Sequence, residues 1–224
     1  MTYPINLDIS DKICVVLGGG KVAFRKVNGL LKAGGKVILI APEICDELKN
    51  LVNDQKITWR CENYSVGCLP NGLIFIAATN DPKINELAMI EASEKNFLIN
   101  NVNSNYPLPI NNYKLFTVPA IVRRENLMLT ISTDGLSPAL SKLIREQLEE
   151  IFNENFAEFL KFLSDIRDEV KNKIADVNER EQFWRNIMSN ENFSLVQQGE
   201  INKAEVNIQN ALNSYRSKSQ NSTH

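Results

Sequence analysis

Between residues 13 and 100, short apolar runs alternate with longer stretches whose apolar residues recur at helical spacing. The runs Ile13–Leu17, Val37–Ile40 and Phe97–Asn100 read as strands, and Leu73–Ala78 is a continuous apolar run suited to burial on both faces. Ile57–Cys61 alternates instead, which places it near a sheet edge. A helix is expected over Val22–Ala33, closed by Gly34-Gly35. Another starts at Asp81-Pro82, an N-cap followed by proline at the first helical position, and runs to about Lys95. This alternation predicts a doubly wound parallel sheet.

The pattern changes after Asn103. Residues Ser104–Lys114 are rich in Asn and Pro and read as a long loop. Strands Phe116–Val122 and Leu127–Ser132 follow, joined by Arg123-Arg124-Glu125-Asn126, which signals a hairpin and not a crossover. Thr133-Asp134-Gly135-Leu136 is a turn, and Ser137-Pro138 opens a helix with one apolar stripe, Leu140, Leu143, Ile144 and Leu148. From about Asn153 the chain reads as all helical. Phe156, Phe159, Leu160 and Leu163 form one apolar face, Trp184, Ile187 and Met188 mark a second helix, and Ile201–Tyr215 is a third. Ser217 onward is polar and expected to be disordered.

The first strand runs straight into Gly18-Gly19-Gly20-Lys21-Val22-Ala23, and Gly18, Gly20 and Ala23 fill the places of the Rossmann fingerprint G-x-G-x-x-G/A. Gly18 permits the tight turn, Gly20 lets the backbone approach a pyrophosphate, and Ala23 lets helix and strand pack closely. The helix N-terminus offers free N–H groups and a positive dipole end to the phosphates. A dinucleotide is therefore the expected ligand, against the alternative of a plain structural turn. An NAD site usually carries an acidic residue at the end of the second strand. Here that place reads Ile40-Ala41-Pro42, with Glu43 slightly late. No Arg or Lys lies between Val37 and Lys49 to meet a 2′-phosphate, which favours NAD over NADP. Backbone groups of Ala41 and Glu43 are candidates for the ribose, unless Ala41-Pro42 only begins the next helix. Thr79, at the carboxyl end of the fourth strand, is a candidate for the nicotinamide side or a plain turn residue.

The bulk numbers narrow the partners. At 224 residues the chain holds one large domain or two smaller ones. A net charge of −2 gives no basic field for nucleic acid. No apolar run reaches transmembrane length, and no signal-peptide pattern opens the chain, so a cytoplasmic location without membrane attachment is expected. Cys14, Cys45, Cys61 and Cys68 form no C-x-x-C pair, and the single histidine, His224, is the last residue. Histidine bases, His–Cys pairs and ordinary histidine metal sites are thereby excluded, and no metal site is expected.

The glycine turn, Ile40-Ala41-Pro42-Glu43, Ala77-Ala78-Thr79-Asn80-Asp81, Pro119-Ala120-Ile121-Val122 and Ser132-Thr133-Asp134-Gly135-Leu136-Ser137-Pro138 occur in one order. That ordered set, over residues 5 to about 150, resembles the precorrin-2 dehydrogenase family, the dehydrogenase/chelatase part of sirohaem synthases. The resemblance implies NAD-dependent oxidation of precorrin-2 to sirohydrochlorin, with ferrous iron insertion in some members, and a homodimer joined through the hairpin region. The expected fold is α/β: a Rossmann-like parallel-sheet domain over residues 1–112, a hairpin/helix dimerisation region over 113–150, an all-helical C-terminal domain over 151–216 and a disordered tail over 217–224. The cofactor set is Gly18, Gly19, Gly20, Lys21, Val22, Ala41, Pro42, Glu43 and Thr79. Precorrin-2 is rich in carboxylates, so its site needs donors. Candidates are Lys114, Arg123, Arg124, Thr133 and the Gly135–Ser137 turn at a capped helix start, with a solvated hairpin tip as the alternative for Arg123-Arg124.

One departure bears on catalysis. The family commonly carries an Asp in the loop after the fifth strand, the usual candidate for general base. Here Asn103 takes that place, in Asn100-Asn101-Val102-Asn103-Ser104. An amide does not accept a proton at ordinary pH. Either Asp134 supplies a carboxylate, unless it only bonds its own turn, or no strong base is needed and the proton goes to water. Bifunctional dehydrogenation with iron chelation stays open, as does a non-catalytic NAD-sensing module whose helical tail docks a partner.

Overall fold

The computed structural model describes residues 2–102 and 114–220. The chain divides into two compact units, Tyr3–Val118 and Met1–Thr2 with Pro119–His224.

The first unit is a five-stranded parallel sheet in the order β3-β2-β1-β4-β5. Its elements are β1 (Ile13–Leu17), α1 (Lys21–Lys32), β2 (Lys36–Ile40), α2 (Asp46–Asn53), β3 (Ile57–Arg60), β4 (Ile74–Ala77), α3 (Pro82–Glu94) and β5 (Leu98–Asn101). The alternating strand sits at the edge, as its pattern predicts. Each face of the sheet has its own core. Cys14, Val16, Leu39 and Ile76 pack with Ala23, Val27 and Leu30 of α1. Val15, Leu17, Phe75 and Ile99 pack with Ala88, Met89 and Ala92 of α3. Cys14 is a core residue whose burial pushes its thiol up to about 11, as expected of an unreactive, buried cysteine. Asp81 caps α3 by accepting from the Lys83 and Ile84 amides, with Pro82 behind it, as the sequence requires.

A buried carboxylate fastens the connection between β3 and β4. Glu91 of α3 accepts from the Tyr64 hydroxyl at 2.8 Å, the Gly67 amide at 2.9 Å, the Leu69 amide at 3.0 Å and Lys95 Nζ at 2.9 Å. Residues 114–116 run beside β5, with a parallel bridge Ile99↔Leu115 and the Phe116 amide donating to Ile99 O at 3.0 Å. Phe116, expected to open the hairpin, therefore belongs to the parallel sheet. Pro119, which has no amide to donate, separates it from the hairpin.

The second unit begins with the antiparallel pair β6 (Ala120–Arg124) and β7 (Leu127–Ile131). The register Arg124↔Leu127 leaves a two-residue loop, Glu125-Asn126, with Glu125 at φ 48°. Arg123 and Arg124 lie in the strand and not at the tip, which corrects the turn read from their polarity. Helix α4 (Pro138–Ile151) packs on β6 and β7. Its expected stripe is only partly covered, for Leu140 and Leu143 are 46% and 51% exposed. Five helices follow instead of three: α5 (Asn155–Asp165), α6 (Arg167–Lys173), α7 (Val177–Ile187), α8 (Asn190–Gln197) and α9 (Ile201–Gln220). The breaks between them fall at Ile166, at the caps Asp176 and Ser189, and at Gly199, with φ 83°. Phe156, Phe159, Val170, Phe183, Val196, Ile208 and Leu212 form their common core. Met188 is exposed at the end of α7, and α9 continues past Ser217 to Gln220.

Candidate dinucleotide site

The sheet order reverses direction between β1 and β4, and the crevice outside their carboxyl ends is where open α/β sheets bind ligands. The glycine turn lies there. Gly18 has φ +119°, and a Cβ on it would stand 2.4 Å from Ala78 O. A Cβ on Gly19 would stand 1.8 Å from Glu43 O. Around Gly20 a Cβ would meet nothing within 4 Å. The first two glycines are therefore demanded by the protein's own chain, and Gly20 faces open space. Gly20 is also the N-cap of α1, and no side chain caps that helix. The amide donors of its first turn, at Lys21, Val22 and Ala23, are left for another acceptor. Lys21 and Val22 are exposed, and Ala23 is fully buried against the sheet. An open cradle beneath an uncapped helix start fits the pyrophosphate of a dinucleotide.

The segment after β2 crosses in front of this turn. The Cys45 amide donates to Gly19 O at 2.8 Å and the Gly18 amide to Ile40 O at 2.9 Å. Helix α2 starts at Asp46, so Ala41-Pro42 does not begin it. Ala41 is buried, its amide donates to Arg60 O at 3.2 Å, and its carbonyl accepts from Trp59 Nε1 at 2.9 Å. Its backbone is thus engaged with β3. Pro42 and Glu43 are exposed beside it.

At the end of β4, Thr79 is held by a residue the sequence reading missed. Asn85, 2% exposed, accepts from the Thr79 hydroxyl at 2.8 Å and the Thr79 amide at 3.3 Å, and donates to Thr79 O at 3.0 Å. The signal was available, because Asn85 shares a helical face with Ala88, Met89 and Ala92. A polar residue on an apolar face needs a partner.

At the end of β5, Asn100 is buried and donates to Phe116 O at 2.9 Å. Lys114 is exposed, with Nζ 3.3 Å from Asn96 Oδ1. Asn103 lies outside the described residues.

The remaining candidates belong to the second unit. Asp134 and Gly135 both have positive φ, 49° and 83°, and the Leu136 amide donates to Thr133 O at 2.9 Å. This is a type I′ turn, for which Asp-Gly is a preferred pair. Thr133 Oγ1 accepts from the Ser137 amide at 3.1 Å, and Ser137 Oγ caps α4 by accepting from the Leu140 amide at 3.2 Å. The Asp134 carboxylate accepts from the Thr2 hydroxyl at 2.6 Å. Arg124, only 12% exposed, places Nε 3.3 Å from Glu154 Oε1 and donates to Glu149 O at 3.4 Å. Its charge meets a carboxylate and a carbonyl in the last turn of α4, a favourable helix-end position. Among the described residues, no three His, Cys, Asp or Glu side chains form a metal-binding group.

Three family models match in succession: putative NAD(P)-binding over residues 5–109, the sirohaem biosynthesis protein central region over 124–151, and the sirohaem synthase dimerisation region over 155–212. The first makes the parallel-sheet unit a nicotinamide-dinucleotide-binding domain. The region bearing the dimerisation name is the helical one and not the hairpin. Among similar proteins are the sirohaem synthases of Vesicomyosocius okutanii, 33% identical over 95% of this chain and 45% of that protein, and of Nitrosospira multiformis, 33% identical over 93% of this chain and 44% of that protein. The chain spans under half the length of these relatives. A solved structure, SirC, precorrin-2 dehydrogenase, superposes with a TM-score of 0.72 and 25% identity, covering 92% of this chain and all of that one. No described helix is long and apolar enough to cross a membrane. The ordered motifs, the sheet with its hairpin and helical region, and the run of matching models place the chain in the precorrin-2 dehydrogenase family.

Proposed function

We propose that this chain dehydrogenates precorrin-2 to sirohydrochlorin with NAD, as a homodimer in the cytoplasm. The observation that carries the reading is the open space at Gly20 beneath the uncapped start of α1, in a chain whose fold spans the whole of a precorrin-2 dehydrogenase. Gly18–Val22 hold the pyrophosphate. Pro42 and Glu43 face the adenosine ribose, and the lack of any Lys or Arg between Val37 and Lys49 favours NAD over NADP. NAD, when bound, supplies the hydride acceptor.

The protein's share is binding and orientation. Hydride loss leaves a cation spread over the reduced tetrapyrrole, and loss of one proton to water completes conjugation. That route needs no strong base, which accords with an amide at Asn103. The turn Thr133–Ser137 is the place for substrate carboxylates; its Leu136 and Ser137 amides and the Leu140 amide are already bonded to Thr133 and Ser137, so the contact falls to the Gly135 amide at the exposed tip. Self-association is supported by the matched dimerisation region, residues 155–212; Leu140 and Leu143 of α4, outside that region, are exposed and offer a second apolar surface.

The test is an anaerobic absorbance assay with enzymatically made precorrin-2 and NAD. Sirohydrochlorin formation well above the enzyme-free rate is expected. NAD binding without turnover would make the chain a binding module.

A further inference from the structure

Thr79 stands where a ligand crossing from the glycine turn towards β4 meets the protein, yet its polar atoms are turned inward. Its hydroxyl lies 2.8 Å from Asn85 Oδ1 and 3.1 Å from Asp81 O, and accepts from the Asp81 amide at 3.1 Å. Its amide and carbonyl are both bonded to the Asn85 side chain. One buried amide therefore makes three bonds to a residue six positions earlier. From the other side, the Ala78 amide donates to Leu17 O at 2.9 Å, and Ala78 O lies 2.4 Å from where a Cβ of Gly18 would be. The Ala78–Thr79 peptide is thus clamped between the glycine turn and α3.

We propose that Asn85 is a positioning residue for the nicotinamide half of the dinucleotide. It touches no ligand. It fixes the backbone at the carboxyl end of β4, across the sheet's switch point from the pyrophosphate cradle. This inference rests on the dinucleotide reading above. The two halves of such a fold each bind one nucleotide. The half containing β2 and Gly20 takes the adenosine and the phosphates, which leaves the β4 end for the nicotinamide ribose and ring. Asn at position 85 is chemically specific. Aspartate keeps the acceptor towards the Thr79 amide and hydroxyl but loses the donor to Thr79 O, and sets two oxygens against each other.

The test compares two ligands on the full chain by calorimetry: NAD, and ADP, which lacks the nicotinamide ribose and ring. Asn85→Asp is expected to weaken NAD about tenfold, the effect of about 1.4 kcal/mol, and to leave ADP within about twofold. Thr79→Val, which removes the hydroxyl but keeps both backbone bonds, should weaken NAD in the same selective way by a smaller factor. Equal weakening of both ligands would reduce Asn85 to a structural support and overturn the proposal. So would unchanged NAD affinity in a folded Asn85→Asp protein, or an effect of Thr79→Val alone, which would make the hydroxyl a direct contact. Failure of the unsubstituted chain to bind either ligand would overturn the dinucleotide reading, and this inference with it. Should Asn85→Asp not fold, Thr79→Val together with Asn85→Ser carries the same comparison.

Discussion

The backbone of Gly19 runs so close to the carbonyl of Glu43 that a Cβ there would lie 1.8 Å from the oxygen, whereas the next residue, Gly20, has nothing within 4 Å of the same point. Adjacent glycines of one turn thus differ: one is demanded by the protein's own chain, and the other faces open space, where the proposed function places the dinucleotide.

Substitutions at the two positions should separate accordingly. Gly19→Ala must push the Glu43 segment aside and is expected to cost about 3 kcal/mol of stability, visible as a lower urea midpoint. Gly20→Asp should leave that midpoint nearly unchanged and abolish NAD binding, because a carboxylate would fill and repel the pyrophosphate site. Retained NAD affinity in a folded Gly20→Asp protein would remove the ligand from this turn.

Glu91 makes stability depend on acid. Burial alone would raise its carboxyl, but the bonds from Lys95, the Gly67 amide, Tyr64 and the Leu69 amide outweigh this and hold it below its ordinary value of 4.5. The unfolded chain therefore binds the proton more readily. The stabilisation is complete above the ordinary value and is lost as pH falls through the lower, folded one. Glu91→Gln is expected to cost about 2–3 kcal/mol near pH 7 and to flatten the decline of stability on the acid side. Parallel urea midpoints for both proteins from pH 7 to pH 3 would contradict the assignment.

Self-association should draw on α4 as well as on the matched dimerisation region, residues 155–212. Leu140 and Leu143 leave about half of their surfaces uncovered, at 46% and 51%. Burying a leucine side chain is worth roughly 1.5–3 kcal/mol, so Leu143→Glu is expected to weaken the dimer at least tenfold in sedimentation equilibrium. Val206, exposed on α9, gives the contrast. Dissociation by Val206→Glu alone would confine the contact to the helical region that bears the dimerisation name.

Legibility in the sequence followed the range of the physics. The glycine turn, the Asp81-Pro82 and Ser137-Pro138 helix starts and the edge position of β3 come from signals a few residues long, and each appears in the fold. The hairpin register was hidden because Arg123 and Arg124 look solvated, while the Arg124 guanidinium is buried against Glu149 and Glu154, residues distant in sequence. Asn85 and Glu91 were passed over because α3 reads as an ordinary helix, and their partners, Thr79 and the Tyr64–Leu69 segment, are fixed only by tertiary packing. Three helices became five because short helices punctuated by single caps blur into one long polar and apolar pattern.

Iron insertion gives the last prediction. A chelatase must hold the metal or take up the pyrrole protons, usually with a carboxylate or imidazole. The only histidine is His224, and Asn103 takes the place for which the family resemblance implies an aspartate. Asp134 is the carboxylate that sequence analysis offers in its stead, and it is occupied twice. It holds a left-handed turn position, φ 49°, and it accepts a 2.6 Å bond from Thr2. Asparagine tolerates that backbone as well as aspartate does, so Asp134→Asn preserves the turn while removing the charge. Dehydrogenation by Asp134→Asn is expected within about threefold of the unsubstituted rate, less than the ~10²-fold that loss of a general base typically costs. Sirohydrochlorin supplied anaerobically with ferrous ion should give sirohaem no faster than the enzyme-free reaction, for either protein. A rate well above that background, lost in Asp134→Asn, would make the chain bifunctional and put Asp134 at the centre of metal insertion.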